Sequence, residues 1–458
     1  MKRIFLPLLL LIFILFSAPQ VNADGFNIYM DRSFFALHGE NTQIAAINYE
    51  NGVEKLLLAV KTEQLQDDSV VWIVPVAANA SEVKINIFRD FPHFSGSDIV
   101  MVDRDRMSYG FSLAYGASVT QIYPAFLVMY GSFFGGQFRG IGYGAGDVEI
   151  YATVEKEGIT TQVIKADTAI GLYNYLNGKN ITISQGSIPI LEEYIGEDYS
   201  FVVSWVRAIA GNESHRTPSI FVEFPTDKIY YPLKPTSLYG DRGIPILLYV
   251  VGLAEPELYD GIKNYTLVRY FQGSIFERWG ERGWLKEFYP NATDIGAGQY
   301  RAHAIYYTTI MIGNEDDWII PSVYQKPETP SADIFTEDLW IKHDSPPHDV
   351  EQALARNEVF SYMRENPTMS WAIIIIWIAL ASMISSWLAG LLMFKGYGFK
   401  TALLGLANLL TLVIFIIATF GFFKKEEINR PKFIVAFTII FLIINFVIFA
   451  PLFTFFLF

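Results

Sequence analysis

Three apolar runs at the C-terminus constrain this chain more than any other feature. Trp371–Phe394, Thr401–Phe423 and Phe433–Phe458 each exceed 20 residues and contain no acidic or basic side chain. A run of that length can cross a hydrocarbon core of about 30 Å. The sequence therefore predicts an all-α membrane segment of three transmembrane helices, at 371–394, 401–423 and 433–458. The first connection, Lys395–Lys400, is short enough for a tight helical hairpin, and the second, Lys424–Lys432, is a polar loop. With no ionisable group inside the runs, proton-coupled transport by this chain alone is not expected. Ser382, Ser386 and Gly390 recur at i, i+4 and i+8. Small residues at that spacing let helices approach closely, so these three are candidate packing positions, within the three-helix unit or against another membrane protein.

Composition supports the same class. Hydrophobic residues make up 52% of the 458 and charged residues only 18%, against roughly 25% charged in an average soluble protein. Cysteine is absent, which excludes disulfides, zinc–thiolate sites and thiol nucleophiles. The net charge of −13 argues against nucleic acid as a partner. That charge is concentrated in residues 24–370, which carry −19, while 1–23 carry +2 and 371–458 carry +4.

The N-terminus has the form of a secretory signal over residues 1–23. Lys2 and Arg3 precede an apolar run of 13, Ile4–Phe16, and Val21-Asn22-Ala23 supplies the small residues of a cleavage site. It directs the acidic body to the extracytoplasmic side. The Lys and Arg counts of the two helix connections run against the positive-inside tendency, and the signal is taken as deciding. Five sequons, at Asn79, Asn180, Asn212, Asn264 and Asn291, all fall in the body and are candidate N-glycosylation sites.

Within the body, Gln43–Glu50 and Val53–Lys61 read as strands joined by Asn51-Gly52, a dipeptide that accepts positive φ at both turn positions. With Ser69–Val76 and Glu82–Phe88 they predict an antiparallel meander with one buried face. A second unit follows. It has strands Val148–Val154 and Thr160–Lys165, a helix over Thr168–Asn177 capped by Asp167, a short helix around Pro189–Tyr194, and strands at Ser200–Ala208, Ser219–Phe224, Pro245–Val251, Tyr265–Gln272 and Tyr300–Ile312. The expected fold is thus an α+β, sheet-dominated ectodomain ahead of the membrane segment. Its units are 24–146, with a Gly/aromatic insert at 107–146, then 147–345, then a stalk at 346–370 with a helix over Val350–Met363.

Gly39–Tyr49, Gly52–Lys61 and Val71–Val76 together resemble the opening of an exported prokaryotic family, domain of unknown function 2330. Leu172–Leu176, Tyr194, Phe201–Val203 and Tyr230–Leu233 are similar to its middle, and Phe335–Trp340 to its end. The resemblance spans about residues 24–343 and implies an exported β-rich domain. It carries no assigned chemistry, so it implies no catalytic residue. The insert and the helical tail depart from the family pattern.

The residues offer little local chemistry. None of the six histidines forms a metal-ligand pair at helical spacing, and His343-Asp344 and His348-Asp349 read as parts of a solvated linker. Gly140-Ile-Gly142-Tyr-Gly-Ala145 fits a loose dinucleotide pattern without the strand and helix that would give it meaning. There is no Gly-x-Ser-x-Gly elbow. No catalytic, cofactor-binding or metal site is therefore expected. The most unusual soluble stretch, Met107–Phe138, carries no charge; its Tyr123, Phe126, Tyr130, Phe133 and Phe134 are candidates for contact with a membrane or a partner. The expected function is that of a membrane-anchored extracytoplasmic surface or interaction protein, non-enzymatic, serving a membrane-protein partner or a cell-envelope component. The alternative is an extracytoplasmic hydrolase acting on glycans, which needs two facing carboxylates.

Overall fold

The computed structural model describes residues 42–59, 70–108, 154–156, 159–178, 188–196, 198–206, 218–277, 283–296, 299–314, 318, 320, 324–393, 398–409, 412–423 and 429–444. The expected signal peptide and nearly all of the 107–146 insert lie outside these residues.

The first hairpin forms as its turn chemistry dictates. Strand β1 (Gln43–Glu50) and β2 (Val53–Ala59) pair antiparallel, with Ala45 opposite Leu58 and Glu50 opposite Val53. Between them Asn51 and Gly52 both take positive φ, 53° and 76°, as a two-residue hairpin loop requires. Along β1, Ala45 and Ile47 enter one core, and Ile44 and Ala46 enter another on the opposite side. A strand apolar on both faces needs cover on both, which a meander with one solvated face cannot give. The expected meander is accordingly not formed. Strand β3 (Val70–Val76) leaves for a second sheet, and β4 (Lys84–Phe88) pairs with β9 (Ser219–Pro225) rather than with β3.

Strand β1 instead pairs in parallel with β11 (Ile246–Val251), Gln43 opposite Ile246. The large sheet then runs β4-β9-β2-β1-β11-β15-β13-β5, with β5 (His93–Asp98), β13 (Thr266–Phe276) and β15 (Gln299–Ile312) on one side and β14 (Thr293–Gly296) paired to β15. Gly96 and Gly273 are opposed across β5 and β13, and a Cβ on Gly273 would fall 2.0 Å from the Ser95 carbonyl oxygen. Only glycine permits that approach.

The second sheet has the order β3-β8-β7-β6, with β6 (Val154–Lys156), β7 (Ile159–Ile164) and β8 (Ser200–Val206). Val202 and Ile159 join the core shared with the large sheet, while Phe201 and Val203 on the other face pack on Ala169, Leu172 and Leu191. The last three belong to helices α2 (Ala169–Gly178) and α3 (Ile188–Glu192). The cap of α2 is Thr168, whose Oγ1 accepts the Gly171 amide hydrogen at 2.9 Å, in place of the expected Asp167. A third small sheet, β10 (Ile229–Tyr231), β16 (Leu339–Lys342) and β12 (Glu255–Pro256), closes the same core. The body is sheet-rich α+β, as its sequence predicts.

Residues 99–108 form helix α1, which continues directly from β5. Asp98 starts it, with Oδ1 accepting the Met101 amide hydrogen at 2.9 Å. The segment expected as a stalk is helix α6 (His348–Glu365), counted after the short helices α4 (Asp260–Lys263) and α5 (Leu285–Phe288). Its Val350 and Ala353 are fully buried against Ile99 and Tyr270, and Arg356 donates to both carboxylate oxygens of Asp103 on α1. The first turns of α6 are therefore part of the body's packing.

Beyond Pro367 the expected membrane segment takes another form. Helix α7 (Pro367–Met393) packs on α8 (Gly398–Gly405); the 3₁₀ turn Leu406–Leu409 separates α8 from α9 (Leu412–Phe422), and α10 (Arg430–Ile444) follows. Among the described residues no helix is long and apolar enough to cross a membrane, so the expected three transmembrane helices are not supported. The second run is broken where the sequence reads as continuous, because the chain turns at Leu406–Leu409 and leaves 11 residues in α9, about 16 Å of helix. The 15 described residues of α10 reach about 22 Å against a core of about 30 Å. Helix α7 has greater length, but its stripe of Ser382, Ser385 and Ser386 is fully buried, with Ser386 bonded to the Thr401 carbonyl. Phe415, Phe433, Phe437 and Phe441 make the core of this unit, with Phe415 and Phe437 stacked at 3.9 Å between centroids.

One buried ion pair joins the far edge of the large sheet to α1. Arg269 on β13 donates from Nε to Asp98 Oδ2 at 3.0 Å, and Tyr324 donates to the same oxygen at 2.9 Å. The guanidinium also lies 4.7 Å from the centre of the Phe271 ring. Removing one partner of such a pair strands the other charge, so Arg269→Ala is expected to cost about 3–5 kcal/mol. Chemical denaturation of the full chain checks this. A loss within about 0.5 kcal/mol, the scale of an ordinary surface substitution, would contradict it.

Candidate functional site

The candidate site is a cavity of about 360 Å³ where the two larger sheets meet the 3₁₀ segment Lys234–Tyr239. Its walls come from parts of the chain remote in sequence. Gln43 and Ile44 open β1, Leu58 and Ala59 end β2, Trp72–Pro75 belong to β3, and Tyr231, Thr236 and Tyr239 lie on or near the 3₁₀ turn. Strand β3 ends its sheet, so its open edge borders the cavity.

Three side chains make a polar floor. Tyr231 donates its hydroxyl to Gln43 Oε1 at 3.1 Å, and Gln43 Nε2 donates to Thr236 Oγ1 at 3.1 Å. Tyr231 is buried, which pushes its hydroxyl pKa above the ordinary tyrosine value, with Tyr239 adding to the rise. It remains a neutral donor at physiological pH. At the rim, Leu238 and Tyr239 are 45% and 48% exposed.

One half-buried and one fully buried carboxyl group, neither of them in the cavity lining, hold this turn and the strand before it. Asp338, just before β16, accepts the Lys234 amide hydrogen at 3.0 Å, the Tyr194 hydroxyl at 2.9 Å and the Tyr230 hydroxyl at 2.9 Å. Burial raises its pKa, and these bonds oppose the rise. Glu54 on β2 is fully buried and accepts the Tyr230 amide hydrogen at 2.7 Å through Oε2. Its other oxygen, Oε1, has no hydrogen-bond partner among the described residues. Desolvation pushes its pKa well above the usual carboxylate range, against a smaller lowering by the Tyr230 bond. Burial thus favours the neutral form of Glu54 over the ionised one.

Among the described residues no Asp, Glu, His, Lys or Arg lines the cavity. The arrangement can hold a molecule by shape, aromatic contact and neutral hydrogen bonds. Its described residues supply no general acid or base and no pair of facing carboxylates of the kind used in glycoside hydrolysis. Among the described residues no group of three His, Asp or Glu is placed to hold a metal ion. His343 sits instead against the Tyr49 ring, 5.6 Å between centroids, and bonds Asp344 at 3.0 Å.

The residues singled out by sequence lie elsewhere. Asn79 is in a turn, where its Oδ1 accepts from the Ser81 amide at 3.2 Å and the Ser81 hydroxyl at 3.0 Å. Asn264 is exposed at the end of α4, and exposed Asn291 donates to Glu50 at 3.2 Å. Asn180 and Asn212, like Tyr123, Phe126, Tyr130, Phe133 and Phe134, lie outside the described residues. Ser382, Ser386 and Gly390 are buried within the helical unit itself; a Cβ on Gly390 would meet Thr401 Oγ1 at 2.0 Å. Sequence reasoning passed over Gln43, Trp72, Thr236 and Tyr239. The one local signal was the pair Pro232 and Pro235 among aromatic residues, which marks a rigid turn.

No family model matches the chain, and no curated protein does. Among solved structures the crystal structure of baculovirus P35 is similar to 66% of this chain and 97% of its own. The identity is 11% and the TM-score 0.26, too low to support an argument about fold or function.

Glu54 makes a pH dependence testable. A carboxylate whose pKa is raised on folding contributes stability that is full below its unfolded value and is lost as pH rises toward the folded value. From about pH 4.5 upward the native protein is therefore expected to lose stability relative to Glu54→Gln, which keeps the acceptor for Tyr230 and cannot ionise. Thermal melts of both proteins between pH 4.5 and 8 measure it. Parallel curves would show that Glu54 ionises equally in both states.

Proposed function

We propose that this protein is a membrane-associated interaction protein of the extracytoplasmic side. In this reading the helical unit holds it at lipid and the sheet body carries recognition without catalysis. The observation behind it is the outer surface of the helical unit. Its core is filled by phenylalanines, yet Ile376, Leu392, Val413 and Ile417 stand 58%, 75%, 59% and 66% exposed. Monomeric soluble proteins rarely expose apolar patches beyond a few hundred Å².

The exposed residues occur on α7, α8, α9 and α10, so whatever covers them surrounds the unit. A lipid phase does that; a docked protein covers one side. Contact with lipid does not require a helix that crosses, since helices also lie within the interfacial layer. Exposed Lys432 near the start of α10 suits anionic headgroups. The side assigned to the body rests on the signal-like N-terminus and the sequons. The resemblance to the exported family of unknown function belongs to the same proposal.

The full chain, diluted from detergent, should float with vesicles of phosphatidylcholine and phosphatidylglycerol. Leu392→Glu with Ile417→Glu should shift it toward the unbound fraction, since placing a charge in lipid costs about 2.5–3.5 kcal/mol at mid-depth and less near the surface. A full chain that stays soluble without detergent and does not float would overturn the reading.

A further inference from the structure

We infer that the cavity beside β3 binds a neutral saccharide unit. The inference rests on the body being a recognition domain and is independent of how the helical unit meets lipid. Charge is the first observation. Every described residue lining the cavity is neutral, so a charged ligand would lose hydration and gain no counter-charge from them. Phosphates, carboxylates and ammonium groups are disfavoured on that ground.

Polarity is the second. Gln43 Nε2 carries two N–H groups and spends one on Thr236. The Tyr231 and Thr236 oxygens keep acceptor capacity beyond their bonds to Gln43. The floor therefore offers a donor beside acceptors, all held in place by one another. A purely apolar ligand would bury these groups without using them. A sugar hydroxyl, both donor and acceptor, matches them.

The walls are the third. Trp72 comes from the second sheet, while Tyr231 and Tyr239 come from the 3₁₀ side. Aromatic faces carry partial negative charge, and the C–H-rich face of a pyranose ring complements them. The volume of about 360 Å³ lies at the small end of the range for ligand pockets. It suits one or two sugar rings rather than a long chain. Half-exposed Tyr239 and Leu238 mark the mouth, through which the remainder of a glycan can continue into solvent. With no carboxylate in the lining, the bound sugar is held and left intact.

The test uses the full chain in detergent and saturation-transfer NMR. The probes are maltotriose and chitotriose as neutral glycans, trigalacturonate as an acidic one and decaproline as an extended peptide. Saturable binding of at least one neutral glycan, with none of trigalacturonate, is expected. Tyr239→Ala, at an exposed rim position, should weaken it about tenfold without moving the melting temperature. Gln43→Leu, which removes the floor's free donor, should weaken it likewise. Binding of neither neutral glycan, equal binding by wild type and Tyr239→Ala, or binding of decaproline alone would overturn the inference. Vesicle flotation of the same samples separates the two proposals. Lost glycan binding with intact flotation removes only the saccharide site, and the reverse removes only the lipid reading.

Discussion

The structure of the body depends on one strand that has no face to spare for water. Ala45 and Ile47 on one side of β1 and Ile44 and Ala46 on the other are all buried. Two layers must therefore close on it, and their order follows. The second and third sheets cover one face, and the α5 region with Trp284, Leu285 and Phe288 covers the other. The parallel partner of β1 is β11, some 200 residues later, so the central pairing forms only after a long loop has closed. That topology places the body among proteins whose folding is governed by non-local contacts.

The same arrangement explains why the buried acids lie behind the cavity and not in it. Where the 3₁₀ turn meets β10, Glu54 and Asp338 accept backbone hydrogens that would otherwise be unpaired, at Tyr230 and Lys234. The turn that carries Thr236 and Tyr239 is held by a carboxyl group at its first residue, Lys234, while Thr236 and Tyr239 bring a hydroxyl and a ring to the cavity lining. The six-residue turn thus owes its position to carboxyl groups that are not among the residues lining the cavity.

Much of the local structure was legible in the sequence. The Asn51-Gly52 hairpin, the strands from Ser200, Ser219 and Pro245 onward, and the helix after Asp167 follow from alternation, turn residues and caps. What was not legible is non-local. The apolar run in Val70–Val76 and the alternation in Lys84–Phe88 mark strands but cannot say that they belong to different sheets. Gln43 and Thr236 are 193 residues apart, and no pattern along the chain joins them. The helical tail failed for a different reason. Hydropathy sums over a window, and it does not register the turn at Leu406–Leu409, where Gly405 packs on the Ser382 backbone and buried Asn408 bonds Ser382 as one helix ends before the next begins.

Helix α6 gives the junction between body and tail a mechanical character. Its first turns are clamped to α1 by Val350, Ala353 and Arg356, and α1 in turn is rooted in β5 through Asp98. It ends at Asn366, whose amide bonds back to Tyr362, where Pro367 forbids a continuous helix. A body fastened this way cannot swivel as a bead on a thread would. Torque applied at the tail would pass along α6 to α1 and from there to β5 at the edge of the large sheet. The direction in which the helical unit leaves the body is thereby set at one corner of the chain, Asn366-Pro367.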